Sequence, residues 1–101
     1  MAITKEFADA VQAKNLLRIR IMMKDSLLVD PSASQFDEME QYASSRVGNI
    51  YAEDDNATLN FDVTAWNEDY LNQQMVAVVN GFTKKRVELL KSMVRYLYKD
   101  R

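Results

Sequence analysis

The sequence predicts an all-α fold, a single domain over residues 1–101 built as a bundle of four or five helices, with a long loop before a C-terminal helical hairpin. Three observations carry this expectation. Apolar residues recur at intervals of three and four through most of the chain. Side chains suited to capping stand in front of these periodic stretches. Two Gly and one Pro in 101 residues are too few for a turn-rich β fold.

Thr4 caps a first short helix in which Phe7, Ala8, Ala10 and Val11 gather toward one side, and Lys14-Asn15 ends it. Asn15 caps the second, where Leu16, Leu17, Ile19, Met23, Leu27 and Leu28 are apolar helical neighbours with Arg18, Arg20 and Lys24 between them. The alternation L-R-I-R-I also fits a short strand over residues 17–21. Helix is favoured because the apolar pattern runs on past Met22 without a turn. Asp30-Pro31 stops this element, since the residue before proline is pushed out of the helical region. Ser32 with Gln35, or Ser34 with Asp37, offers capping-box spacing for a third helix. Phe36, Met39, Tyr42 and Ala43 mark its buried side, Asp37, Glu38 and Glu40 face water, and Gly48-Asn49 ends it.

Over residues 50–65 the helical period fades into Asp, Asn and Thr. A long loop is expected there, pinned by Ile50, Tyr51, Leu59, Phe61 and Val63, with a short helical turn or extended piece over residues 59–63. Asp54, Asn56, Thr58, Asn60 and Asp62 place oxygen-bearing side chains at every second position, as calcium loops do. With Asp54 as position 1, however, the position that needs Gly is Leu59 and the one that needs a bidentate Glu is Ala65. The alternation fits a loop with one buried face instead.

Residues 66–98 read as the hairpin. Trp66, Tyr70, Met75, Val78 and Val79 form one stripe, and Asn80-Gly81 supplies residues that tolerate the left-handed conformation ending a helix. Thr83 caps the last helix, with Phe82 before it placed to pack on Val87. Val87, Leu90, Val94 and Leu97, broadened by Leu89, Met93 and Tyr96, make this the expected core helix. The Met residues fall on apolar stripes and read as core filling. In the adjacent pair Met22-Met23 and in the pair Tyr96 and Tyr98 the two members point to different sides, so one of each is expected at the surface.

Composition narrows function. The chain has no Cys and no His, which removes thiolate nucleophiles, disulfides, Cys-ligated zinc and the commonest general base. No apolar run approaches the roughly 20 residues of a spanning helix, and the N-terminus lacks a secretory pattern. The expectation is therefore a cytoplasmic, non-enzymatic protein with no cofactor, no metal and no membrane contact. An enzyme working through carboxylates alone needs a shielded pair with separated pKa values, and the sequence singles out none.

Charge is strongly partitioned. Residues 1–29 carry five Lys or Arg against three Asp or Glu, residues 30–70 one against ten, and residues 71–101 seven against two, giving +2, −9 and +5. Either the acidic middle lies beside the basic last helix within the fold, or the two surfaces meet different partners or a second copy of the chain. Lys84, Lys85 and Arg86 form the strongest cationic cluster. It sits in the first turn of a helix, where it opposes the helix dipole. Together with Arg95 it is the candidate anion- or partner-binding site. The leading expectation is a protein-interaction module with an unidentified partner, or one that self-associates. The alternative is a nucleic-acid-binding accessory protein using these residues with Lys99, Arg101, Arg18 and Arg20.

An ankyrin-type repeat is set aside, because the T-P-L-H element and a second copy near 33 residues on are absent. The stretch F-A-D-A-V-Q-A-K-N-L-L-R-I-R-I-M-M-K-D-S-L-L-V-D-P, with W-N-E-D-Y-L-N-Q-Q-M-V and N-G-F-T-K-K-R-V-E-L-L-K, resembles a group of small uncharacterised proteins. These are carried on conjugative transposons and related mobile elements of Gram-positive anaerobic bacteria. The resemblance covers most of the chain and implies a bacterial cytoplasmic accessory protein, in element maintenance or in conflict with host defences. It implies no particular activity and no site residues.

Overall fold

The computed structural model describes residues 3–54, 56 and 58–98. Among them are five α-helices and no strand: α1 (Lys5–Gln12), α2 (Leu16–Val29), α3 (Ser34–Val47), α4 (Glu68–Asn80) and α5 (Lys84–Leu97), with a single 3-10 turn at Val63–Ala65. The strand alternative for residues 17–21 is thereby excluded.

Four of the five helices start as local chemistry dictates. The side-chain oxygens of Thr4, Asn15, Asn67 and Thr83 accept hydrogen bonds from the amides of Phe7, Arg18, Tyr70 and Arg86 at 2.8–3.2 Å. Each satisfies an amide that the helix cannot. α1 ends in a tight reversal. Lys14 takes φ 56°, its amide bonds Val11 O and that of Asn15 bonds Ala10 O. This is a Schellman closure with lysine where glycine is usual.

The start of α3 differs from expectation. Neither capping box forms; the residue before the helix is Ala33, held at φ 69° with no side-chain cap. Asp30 does the capping from further back. One carboxylate oxygen accepts from the Ser32 amide at 3.2 Å and the Ser32 hydroxyl at 2.6 Å, and the other from the Gln35 amide at 2.9 Å. The turn imposed by Pro31 folds Asp30 back over the first turn of α3. The turn between α4 and α5 differs as well. Gly81 has φ −123° and is not left-handed, because the chain leaves α4 extended and Phe82 plunges into the core.

α2 is the hub, packing against α1, α3, α4 and α5. The molecule measures 40 × 32 × 17 Å. Two helix layers with axes about 10 Å apart and Cα radii of about 2.3 Å give a thickness near 15 Å, so the shortest dimension is that of two layers. The core holds Phe7, Ile19, Met23, Leu27, Phe36, Leu71, Val78 and Phe82 with the buried face of α5: Val87, Leu89, Leu90, Met93 and Val94. Phe82 is its aromatic centre. Its ring stacks with Tyr51 at 5.3 Å and Phe36 at 6.4 Å, and the Arg20 guanidinium lies 5.7 Å above it.

The connection from α3 to α4 is long and tied down at both ends. Ile50 is fully buried, its carbonyl accepts from Arg20 Nε at 2.9 Å, and the Ala52 amide donates to Phe82 O at 2.7 Å. At the far end Trp66 Nε1 donates to Asn60 O at 2.8 Å, the Asn60 amide to Tyr70 Oη at 2.9 Å, and Trp66 meets Tyr96 edge-on at 5.8 Å. Phe61 and Val63, expected as pins, are exposed instead. The polar alternation has a local explanation. Asn49, Asp54, Asn60 and Asp62 each accept from the amide two residues on, at 2.9–3.0 Å. These are Asx-turns, which use the oxygens to shape the backbone.

Candidate partner-binding surface

The sequence cluster of cations divides in the structure. Lys84, Lys85 and Arg95 are exposed on α5, and at 100° per residue Lys84 and Arg95 lie on one outward face three turns apart. Arg86 does not belong with them, a correction to the candidate site. It is 6% exposed, and its guanidinium turns inward to donate to Gln74 Oε1 at 3.1 Å and Gly81 O at 2.7 Å. The oddity of a cation in the first turn of a helix is resolved by direction. Arg86 reaches past the N-terminus of α5 to the C-terminal carbonyl end of α4, where positive charge is stabilising. Arg20 is likewise committed to Ile50 O and Phe82, whereas Arg18 is exposed. Lys99 and Arg101 lie outside the described residues.

The acidic middle and the basic last helix do meet within the fold. Lys91 Nζ bonds Asp37 Oδ1 at 2.9 Å and sits 4.7 Å from the Phe36 ring centroid, stitching α5 to α3. Next to this seam Tyr51 joins loop, α3 and α5. Its hydroxyl donates to the Glu40 carboxylate and Lys84 Nζ lies 5.6 Å from its ring. Burial first, and then the bond to Glu40, push the phenol well above its ordinary pKa, so it stays a donor into strong alkali. Glu40, expected to face water, is therefore partly enclosed. Asp30 is held below the usual carboxylate range, chiefly by the Ser32 hydroxyl and then by the Gln35 amide. Asp62 is shifted the same way by the amide and hydroxyl of Thr64.

Concave surface is modest. A groove of about 370 Å³ between α1 and α3 is lined by Ala8, Val11, Gln12, Lys14, Tyr42 and Arg46. Arg46, one of the lining residues, covers the Tyr42 ring at 3.8 Å and donates to Tyr42 O and Ser45 Oγ. No group of three or more Asp or Glu among the described residues is placed to hold a metal ion, and no described helix is long and apolar enough to cross a membrane.

What sequence reasoning missed lies on α2. Leu17 and Leu28, apolar helical neighbours of Ile19 and Met23 in the sequence, are 54% and 39% exposed. They stand on the side of α2 away from Ile19, Met23 and Leu27, which are fully buried. The available signal was the excess of apolar residues, too many for one face of a 14-residue helix. Of these two pairs, Met23 is fully buried and Met22 half-buried, while Tyr96 is exposed beside Arg95 and Tyr98 is half-buried. Comparison with family models, with curated proteins and with solved structures finds no match to this chain.

Proposed function

We propose that this chain is a non-enzymatic interaction module that self-associates, an accessory protein of the sort its sequence resemblance to mobile-element proteins implies. The observation that carries this reading is the apolar surface left outside a well-filled core. Leu17, Leu28, Val29, Phe61, Val63, Val76 and Tyr96 all face water on a chain of only 101 residues. The charge partition supports association less directly, because Lys91 and Asp37 already neutralise part of it internally. Sedimentation velocity from roughly 1 µM to 1 mM, a range that brackets weak pairing, tests the proposal. A species heavier than the 11.7 kDa monomer must grow with concentration. A single 11.7 kDa species throughout overturns it.

A second reading rests on the outward face of α5. Lys84, Lys85 and Arg95 share exposed positions there, as a phosphate-contacting strip requires, although Glu88 lies among them. Binding of mixed-sequence duplex DNA that falls steeply with salt supports it. Undiminished binding by a Lys84→Ala, Lys85→Ala, Arg95→Ala variant refutes it.

A further inference from the structure

α2 is apolar on two sides, and its own fold fully buries only one of them. Ile19, Met23 and Leu27 fill the core. Leu17, Ile21, Lys24 and Leu28 follow at intervals of four, three and four, the a/d repeat of a coiled coil. At 100° per residue these four lie within an arc of about 60°, centred about 130° round the helix from the core residues. Leu17 and Leu28 are exposed, while Ile21 and Lys24 are half-buried between them. Met22 and Met23, at the middle of the helix, lie off this stripe.

We infer that this stripe is the seam at which two copies of the chain pair, α2 against α2 in antiparallel order, across a two-fold axis passing between Met22 and Met23. The inference rests on the self-association proposed above and names its surface. The stripe is self-complementary in reverse: antiparallel pairing sets Leu17 against the partner's Leu28 and Ile21 against the partner's Lys24. The flanking charges agree. Arg18 and Asp25, both exposed, occupy the same flank of the stripe, and the antiparallel order brings Arg18 alongside the partner's Asp25, twice by symmetry. Parallel order would set Lys24 on Lys24 within the seam and leave Arg18 and Asp25 on opposite sides from their own copies, so it forms no such pair and costs stability at Lys24. Lys24 is compatible with the seam. Its ammonium is neutralised by its own Asp25 at 3.2 Å, so no unpaired charge enters the seam. Val29, 76% exposed, follows Leu28 at the end of α2 and adds apolar surface there. One helix pair stands at the low end of stable interfaces, so pairing is expected in the range of roughly tens to hundreds of micromolar.

Sedimentation equilibrium of the full chain and its variants tests the seam. Leu17→Glu with Leu28→Glu should raise the dissociation constant at least about 100-fold, since each substitution acts twice in the dimer. Helix content should stay unchanged, because both positions are exposed. Arg18→Glu and Asp25→Arg should each weaken the dimer several-fold, and the two together should restore it by swapping the pair. Because the chain has no Cys, Leu17→Cys mixed with Leu28→Cys should form a disulfide-linked heterodimer, while Leu17→Cys alone should not trap. A dimer indifferent to Leu17→Glu with Leu28→Glu overturns this surface and leaves self-association standing. A monomer at every concentration overturns both, and trapping by Leu17→Cys alone overturns the antiparallel order.

Discussion

Replacing Arg86 by Ala separates a structural cation from its exposed neighbours. In the folded chain the guanidinium donates to Gln74 Oε1 at 3.1 Å and to Gly81 O at 2.7 Å. Hydrogen bonds from a charged donor contribute about 1.5–3 kcal/mol each, so losing two sets an upper bound of about 3–6 kcal/mol. Gln74 and Gly81 are only half-buried, so water can replace part of the loss, and about 2–3 kcal/mol is expected to remain. Lys84→Ala and Lys85→Ala should stay within about 0.5 kcal/mol of wild type, and removing a cation from the first turn of α5 can even stabilise it. With a urea m-value of about 1–3 kcal/mol/M, Arg86→Ala moves the midpoint down by about 0.7–3 M, read by circular dichroism at 222 nm. Arg86→Met keeps most of the stem and isolates the hydrogen bonds. The reasoning fails if the Arg86→Ala midpoint coincides with those of the Lys84 and Lys85 variants, since the inward guanidinium would then hold nothing together.

Asp30→Ala should destabilise by about 1–2 kcal/mol as a lost cap. The Asp30 pKa is lowered by folding, so its contribution is present above the unfolded value of 3.8 and lost as pH falls through the lower folded one. Urea midpoints measured from pH 7 down to about pH 2 should therefore show a smaller acid loss for the variant than for wild type. Tyr51 has the opposite sign. Its raised pKa favours the neutral phenol in the fold, so its contribution holds below the unfolded value of 10.0 and is lost above it. Phenolate absorbance at 295 nm should show one of the five tyrosines titrating last, and Tyr51→Phe should remove that component. Gly48→Ala should cost about 1–3 kcal/mol although a Cβ there meets nothing within 4 Å, because φ 98° is strained for any side chain. Lys14→Gly, relieving φ 56° at the end of α1, should stabilise by about 0.5–1 kcal/mol in the same urea assay.

The helix starts at Thr4, Asn15 and Thr83 were legible because a cap acts within three residues of sequence. The start of α3 was not. Its cap, Asp30, stands before a proline that redirects it, and Ala33 is forced left-handed by that detour, which no propensity of alanine suggests. Arg86 was legible as a cation but not as an inward one, because its acceptor is the carbonyl of a turn whose shape is set by Phe82 entering the core. Leu17 and Leu28 expose the limit of periodicity as a signal. When two arcs of a helix are both apolar, the period identifies a helix but not which arc its own fold covers. Phe61 and Val63 depart from the alternation for a related reason: alternating residues fit one buried face, whereas the Asx-turns at Asn60 and Asp62 turn the backbone there and leave both side chains outside.

The two proposed surfaces do not compete for space. The apolar stripe lies on α2 and the cationic face on the outward side of α5, two different helices. Pairing through α2 leaves Lys84, Lys85 and Arg95 free on each copy, and a two-fold axis then presents two such faces. The forces on the two sides answer salt differently. Apolar contact along Leu17, Ile21 and Leu28 is held or strengthened as ionic strength rises, whereas contact between an exposed cationic face and phosphate is lost through counterion release. If both surfaces act, a polyanion complex must dissolve in salt to leave the dimer behind. If the cationic face alone associates chains, by bridging to the acidic stretch of another copy, the dimer must dissolve with it.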